Sequence, residues 1–347
     1  MLRTVELGTT GLRVSEVGFG GIPIQRLGHD EAVAVVRGCL DLGVTFLDTA
    51  HGYTTSEERI GAAIRGRRDS VVLATKTPAR TGAEAQAHME ESFRRLGVDY
   101  IDLFQLHNVS SEEAWQAVTA PGGPLDVLRR AQREGRIGHI GATSHQIDTA
   151  KKLARSGYFE TIMFPFNFVA REPGEELLAI CREAGVALLA MKPLGGGMLE
   201  NARLAFQFLR QYPDVLPVVG IERLSEIAEI VHVYEQPPTL GQAELEEMER
   251  VRAELGNTFC RRCDYCQPCP AGIPISGLMN LPALLKRLPP ERIFGPTGQG
   301  QQVAMVDGCQ DCGDCESRCP YKLPIRARLQ EVVAIYRAAE QAYKSAR

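Results

Sequence analysis

Short apolar runs alternate with segments whose apolar residues recur at helical spacing through the first two-thirds of this 347-residue chain. A hairpin is expected first, in RTVELGTTGLRVSE, turning at Thr9, Thr10 and Gly11. Strands are then expected at 17–21, 45–50, 71–77, 101–107, 139–143, 161–166, 186–191 and 215–220. Helical patterns follow them near 31–42, 57–65, 84–96, 112–134 (interrupted by APGGP), 147–156, 175–184, 203–211 and 224–234. Asp30 is read as the N-cap of the first helix and Gly43 as its stop. Thr55 and Glu58 have capping-box spacing before the second. On the first helix Ala32, Val35, Val36, Cys39 and Leu40 share one face, so Cys39 is expected as a buried core thiol, and Cys181 likewise.

Eight strand-then-helix units over roughly 230 residues fit an α/β fold of the (β/α)8 TIM-barrel type. A doubly wound open sheet is the alternative, but the first strand-to-helix turn, FGGIPI, lacks its GxGxxG pattern. A boundary is expected near Pro237 and Pro238, giving a barrel over 1–237 and a second domain over 238–347. Helices are expected there at 242–255 and 327–343.

Composition narrows the partners. A formal net charge of -4 and a pI near 6.0 give no footprint for nucleic acid or an anionic membrane. No apolar run approaches the roughly 20 residues that span a bilayer. The stretch MLRTVELGTTGLRVSE lacks the apolar core of a signal peptide, so a cytoplasmic location is expected. The cysteines are then thiols or metal ligands rather than disulfides.

Three successive apolar runs end on polar residues that packing does not need. TFLDTAHGY carries Asp48 and Tyr53, VVLATK ends on Lys76, and IDLFQLH ends on His107. In a barrel these strand ends converge on the face where this fold places chemistry. A phenol is a poor acid near neutrality. An ammonium beside it stabilises the phenolate, a carboxylate holds the ammonium, and a histidine orients a carbonyl oxygen. Such a set suits hydride transfer to a carbonyl.

The ordered motifs FLDTAHGY, SEERIG, LATKT, DLFQLH, GRIGHIGATSH, FPFN and MKPLGGG resemble the aldo-keto reductase superfamily over residues 1–235. The resemblance implies that Asp48, Tyr53, Lys76 and His107 are the catalytic tetrad. It also implies a nicotinamide dinucleotide, NADP or NAD, bound without a Rossmann fold. Ser144 and His145 stand where that family often has Ser-Asn for the carboxamide. Met163 replaces a common glutamine, and Met191 replaces a tyrosine that stacks on the nicotinamide. Lys192 with Gly195 and Gly196 is the expected pyrophosphate loop, and Gly220, Glu222 and Arg223 follow the last strand. Relatives that prefer NADP often carry a basic residue at the position of Glu222, and Arg223 is adjacent; NADP is the family habit.

Eight of the ten cysteines form two groups. The first is Cys260, Cys263, Cys266 and Cys269, followed by Pro; the second is Cys309, Cys312, Cys315 and Cys319, followed by Pro. The second has the bacterial ferredoxin spacing, in which three cysteines hold one [4Fe–4S] cluster and the fourth reaches the other. All-cysteine zinc sites are the alternative. The ferredoxin pattern implies two [4Fe–4S] clusters, one on Cys260, Cys263, Cys266 and Cys319, the other on Cys309, Cys312, Cys315 and Cys269. The first group has one residue fewer before its last cysteine, so four-cysteine binding within each group stays open. The linker between them has 276–288 in helical phase, so the module resembles a mainly α-helical ferredoxin, known on a subset of aldo-keto reductases. Gly272 and Ile273 are expected to supply backbone N–H groups and cover to a cluster.

The expectation is an NAD(P)-dependent oxidoreductase acting on a small carbonyl or alcohol, with clusters for electron relay to a redox partner protein or for structure. The alternative is a regulatory or electron-transfer protein whose barrel no longer turns over.

Overall fold

The computed structural model describes residues 2–256, 259–260, 265–286, 288–319 and 321–345, which fall into two compact units, Met1–Leu240 and Gly241–Arg347. The first begins with an antiparallel hairpin, β1 (Thr4–Glu6) on β2 (Arg13–Ser15). There follow β3 (Gly18–Gly20), α1 (His29–Asp41), β4 (Phe46–Asp48), α2 (Ser56–Ile64), β5 (Val72–Thr77), α3 (Gly82–Leu96) and β6 (Ile101–Leu106). Next come α4 (Glu112–Thr119), α5 (Pro124–Arg133), β7 (Ile137–Thr143), α6 (Ile147–Arg155), β8 (Thr161–Pro165) and α7 (Arg171–Ala184). The unit closes with β9 (Ala187–Met191), α8 (Ala202–Leu209), β10 (Val215–Gly220) and α9 (Leu224–Glu235).

Strands β3 to β10 pair in parallel, and β10 returns to β3 to close an eight-stranded barrel. The expected (β/α)8 fold is therefore present. The lumen is filled by Phe46, Val72, Ala74, Leu103, Met163, Ala187, Leu189, Leu216 and Val218, with Leu7 and Val14 of the hairpin packed against them. Three of the strands follow their helices almost at once. Gly43, Gly97 and Gly185 take positive φ (91°, 66° and 68°) just past α1, α3 and α7, which is how LGVTF, LGVDY and AGVAL turn directly into strand.

Local details depart from the sequence reading. Helix α1 starts earlier than expected, with Gly28 at its N-cap, so Asp30 lies inside the first turn, where its charge still suits the helix dipole. Thr55 makes no side-chain cap on α2. Glu57, two residues on, is drawn inward to Thr75 (2.7 Å) and Arg95 (3.4 Å). The reciprocal box forms instead between Thr81 and Glu84 on α3. The APGGP break ends α4 and starts α5 with Pro124 at its first turn. Cys39 and Cys181 are fully buried, and burial pushes both thiols up to about 12.

The second unit is helical: α10 (Gln242–Gly256), α11 (Ile275–Met279), α12 (Leu281–Leu285), α13 (Pro290–Phe294), α14 (Gly300–Ala304), α15 (Asp314–Ser317) and α16 (Ile325–Ser345). The linker expected as one helical stretch is broken in two at Asn280. Ile325, Leu329, Val332, Val333 and Tyr336 form one face of α16 and share a core with Ile273, Ile275, Leu278, Leu281, Ile293, Val303 and Val306. No helix of the described residues is long and apolar enough to cross a membrane.

Candidate active site

Asp48 is the last residue of β4, and Lys76 lies next to the end of β5. Tyr53 and His107 follow β4 and β6 in the loops at the same end of the barrel. The chain between Asp48 and Tyr53 is pinned by its backbone, Thr49 N–H to Ala74 O and His51 N–H to Lys76 O, each 2.9 Å. Arg95 donates to the His51 carbonyl (3.1 Å). Ser56 Oγ ties this loop to Gly21 O (2.9 Å) and accepts from Thr49 Oγ1 (2.9 Å).

Lys76 is 1% exposed and Asp48 4%. Lys76 Nζ donates to Asp48 Oδ2 and to the Thr49 carbonyl, both at 2.6 Å, and lies 4.9 Å from the centre of the Tyr53 ring. Burial opposes the ammonium, but the attraction of Asp48 and Tyr53 and hydrogen bonds to both outweigh it and raise Lys76 above its usual value. Three acceptors match the three N–H groups of an ammonium, where a neutral amine has only two. Burial raises the Asp48 carboxyl above its usual value, and Lys76 and Gln105 offset part of that rise. With donors on both oxygens the pair is held ionised. Gln105, on β6, supplies the second donor, Nε2 to Oδ1 at 3.0 Å.

His107 stands edge-on to Tyr53, ring centres 5.7 Å apart at 81°. Burial, then the charges of Lys76 and Arg80, push its imidazole down to about 3, so it is neutral at physiological pH. Arg80 donates to the carbonyls of His107 (3.1 Å) and Asn108 (2.9 Å), which fixes the loop. His51 stacks on His88 at 3.9 Å, and burial with His88 and Arg95 pushes it down to about 4 against Glu91. Both imidazoles take a proton more readily in the unfolded chain than in the folded one. Their contribution to stability is therefore complete above about pH 6.5 and is lost as pH falls from there towards their folded values. The urea midpoint is expected to fall between pH 7 and pH 5, and His51→Asn to flatten that fall; an equal fall in the variant contradicts this.

The residues expected at the cofactor lie at or just past the ends of β7, β9 and β10 on the same face of the barrel. Ser144 is fully buried; its hydroxyl donates to Gln146 O (3.2 Å) and lies 3.3 Å from Ser110 Oγ. His145 N–H donates to Ser110 Oγ (2.9 Å). Met191 packs at the top of the lumen core. Lys192 has φ 56°, and Gly195, Gly196 and Gly197 have φ 55°, 84° and 90°. Gly195 and Gly196 are buried, and a Cβ at Gly195 would fall 3.1 Å from Leu199 Cγ; Gly197 is exposed, and a Cβ there would meet nothing within 4 Å. Gly220 ends β10 against Gly20. Glu222 lies 3.9 Å from Arg26, and Arg223 is paired with Glu226 at 2.6 Å.

In the second unit Cys269, Cys309, Cys312 and Cys315 line a single cavity, walled by Pro270, Ala271, Ile273, Ile275 and Leu329. Three thiols of the second group and the last of the first thus border one cavity, although among the described residues no three cysteines converge closely enough to hold a single metal ion. Cys312 is exposed. Cys266 and Cys319 are buried in the helical core, with Cys260 packed against it. Cys263 lies outside the described residues. Sulfur ligands around a largely apolar wall suit an iron–sulfur cluster. Two residues passed over in the sequence build the site. Gln267 receives the Cys269 N–H on Oε1 and donates to Ile273 O, both at 2.9 Å. Arg318 donates to Gln267 O (3.1 Å), Pro268 O (2.9 Å) and Asp314 O (3.0 Å), joining the two cysteine stretches.

Comparison with known proteins adds to this geometry. Residues 16–205 match the family model described as the aldo/keto reductase family, and residues 259–324 match that of a 4Fe-4S dicluster domain. The chain is 31% identical to the uncharacterized oxidoreductase YqkF of Bacillus subtilis over 58% of its own length and 68% of that protein's. It is 30% identical to the aldo-keto reductase YhdN of the same organism over 56% of its length, and spans 63%, less than two-thirds, of YhdN. Among solved structures, aldo-keto reductase AKR11C1 from Bacillus halodurans superposes with a TM-score of 0.63 at 25% identity, over 72% of this chain and 96% of that one.

Proposed function

This chain belongs to the aldo/keto reductase family of oxidoreductases, and from that premise we propose that its barrel moves a hydride between a nicotinamide dinucleotide and a small carbonyl or alcohol. The observation that carries the reading is the Lys76 ammonium, shared among Asp48, the Thr49 carbonyl and Tyr53.

A bound nicotinamide supplies the hydride. Tyr53 gives its proton to the oxygen that becomes an alkoxide as a carbonyl is reduced, and takes it back in the reverse direction. Lys76, anchored by Asp48, stabilises the phenolate left behind. His107, neutral and beside Tyr53, donates a hydrogen bond that orients the substrate oxygen without adding a competing charge. Gly195 and Gly196, with φ 55° and 84°, are assigned to the turn that carries Lys192 and the exposed Gly197 towards a pyrophosphate. Ser144, His145 and Met191 are assigned to the nicotinamide end, and Gly220, Glu222 and Arg223 to the adenosine end. NADP is the family habit. The Arg223–Glu226 pair is largely exposed and therefore weak, so a 2′-phosphate can compete for that guanidinium. A panel of aldehydes, ketones and sugars with NADPH and NADH tests the reading; binding of both cofactors without turnover of any substrate would point to the regulatory alternative.

The helical unit is proposed to hold two [4Fe–4S] clusters, one on Cys269, Cys309, Cys312 and Cys315 and one on Cys260, Cys263, Cys266 and Cys319. The support is the shared cavity of the first set and the buried placement of Cys266 and Cys319. Bound clusters supply one-electron transfer, and the exposed Cys312 gives the first a route to a redox partner protein. Purified without oxygen, Cys312→Ser and Cys319→Ser are each expected to lose roughly half the iron and sulfide, and the double variant nearly all, since each removes one ligand of a different cluster. Stoichiometric zinc in the native chain overturns this assignment.

A further inference from the structure

Gln105 is a fully buried polar residue on an inner strand, and the proposed chemistry does not use it directly. Its surroundings are ordered by register. Lys76 on β5 is level with Gln105 on β6, Gln105 with Gly141 on β7, and Gly141 with Thr161 on β8. Residues level on neighbouring parallel strands share a face. Ala74, Leu103 and Met163, each two residues away, pack in the lumen, so this row faces the lumen too. Directly beneath the reaction centre the barrel therefore has a polar row in place of a layer of branched apolar side chains.

Two polar atoms of this row are left over. Gln105 Oε1 and Thr161 Oγ1 are buried, and neither has a hydrogen-bond partner among the described residues. They flank one glycine. A Cβ at Gly141 would fall 2.2 Å from Thr161 Oγ1 and 3.1 Å from Gln105 Cγ, so only glycine lets both side chains lean over that spot. The amide orientation follows from its other end. A carboxylate only accepts, so Nε2 faces Asp48 and Oε1 is the end of the amide left without a partner. Leaving an amide oxygen and a hydroxyl unpaired in a barrel interior is unfavourable, and a water between two such groups is the usual remedy.

We propose that Gln105 is a positioning residue for the Asp48–Lys76 pair, and that one internal water, shared with Thr161 over Gly141, locks its amide in that role. The water donates to Gln105 Oε1 and hydrogen-bonds with the Thr161 hydroxyl. Gln105 then presents its N–H dipole to Asp48 as a fixed, uncharged donor. The charged and titratable groups facing the pair are Tyr53 on the loop after β4 and His107 after β6, with Arg80 next to His107. Without the donor dipole, more negative charge faces the phenolate that Tyr53 must form, so the phenol holds its proton to higher pH.

This inference rests on Tyr53 as the acid/base, and its test is independent of turnover. The full chain is labelled with carbon-13 at the tyrosine ring carbon bearing the hydroxyl, and the Tyr53 signal is assigned by its loss in Tyr53→Phe. Titration of Gln105→Leu is expected to move the Tyr53 midpoint up by about one pH unit, as for loss of a hydrogen bond to a charged group. Thr161→Val moves it the same way by less, and Thr161→Ser, which keeps the hydroxyl, leaves it in place. A crystal structure of the native chain should show a water within hydrogen-bond distance of both Gln105 Oε1 and Thr161 Oγ1. An unchanged midpoint in Gln105→Leu and Thr161→Val, or a direct Gln105–Thr161 bond with no water, overturns the proposal. Full carbonyl reduction by Tyr53→Phe instead removes the catalytic reading, so the two failures are distinguishable.

Discussion

Tyr53→Phe is expected to lower carbonyl reduction by about 10³-fold while leaving nicotinamide binding and the unfolding midpoint close to those of the native chain. The substitution removes one oxygen. Phe keeps the ring beneath Lys76 and beside His107, and the Tyr53 backbone contact to Ala50 O (2.9 Å) is untouched. What disappears is the hydroxyl that is hydrogen-bonded to the Lys76 ammonium. His107 cannot replace it, because an imidazole pushed down to about 3 has no acidic proton to give near neutrality. Lys76 cannot replace it either, because Asp48 and the Thr49 carbonyl still hold two of its N–H groups, and the attraction of Asp48 makes the buried ammonium a weaker acid than a free one. Cofactor titration by fluorescence, beside steady-state rates, separates lost chemistry from lost binding.

Lys76→Met is expected to cost about 3–5 kcal/mol of stability as well as activity, because it strands Asp48 in the interior with one donor instead of two. Lys76 and Asp48 are almost wholly buried, so solvent screens little of this. Asp48→Asn paired with Lys76→Met removes both charges and should regain most of the stability while remaining inactive. That pattern separates the fold's need for a matched pair from the reaction's need for a cation. Urea unfolding of both single variants and the double variant reads it directly; additive losses would show that the two residues act independently.

The barrel was legible because its sequence repeats one physical unit: an apolar run too short for a helix, then an amphipathic segment, then a glycine. Asp48, Tyr53, Lys76 and His107 stood out because a polar group at the end of an apolar strand needs a reason other than packing. Gln105 carried the same signal in FQL and was passed over, since a single polar residue within a strand does not reveal which face it occupies. Register with Lys76 and Gly141 decides that, and register is a property of the closed sheet. Gln267 and Arg318 were invisible for a related reason. Their work is done by hydrogen bonds to carbonyls across a 51-residue separation, which no local spacing encodes. The α2 cap failed because Thr55 has φ -99° and ψ 0°, outside the extended conformation of a capping residue, and its buried hydroxyl has no hydrogen-bond partner among the described residues.

The most direct measurement is the fate of a labelled hydride. Nicotinamide dinucleotide deuterated at the transferring carbon, mixed with the native chain and an aldehyde or ketone that it turns over, should place one deuterium on the carbinol carbon of the product. The same mixture with Tyr53→Phe should give next to none while still binding cofactor. Deuterium delivered at the native rate by Tyr53→Phe, or a reduced product from the native chain that carries no deuterium, contradicts hydride transfer at the Asp48, Tyr53, Lys76 and His107 site.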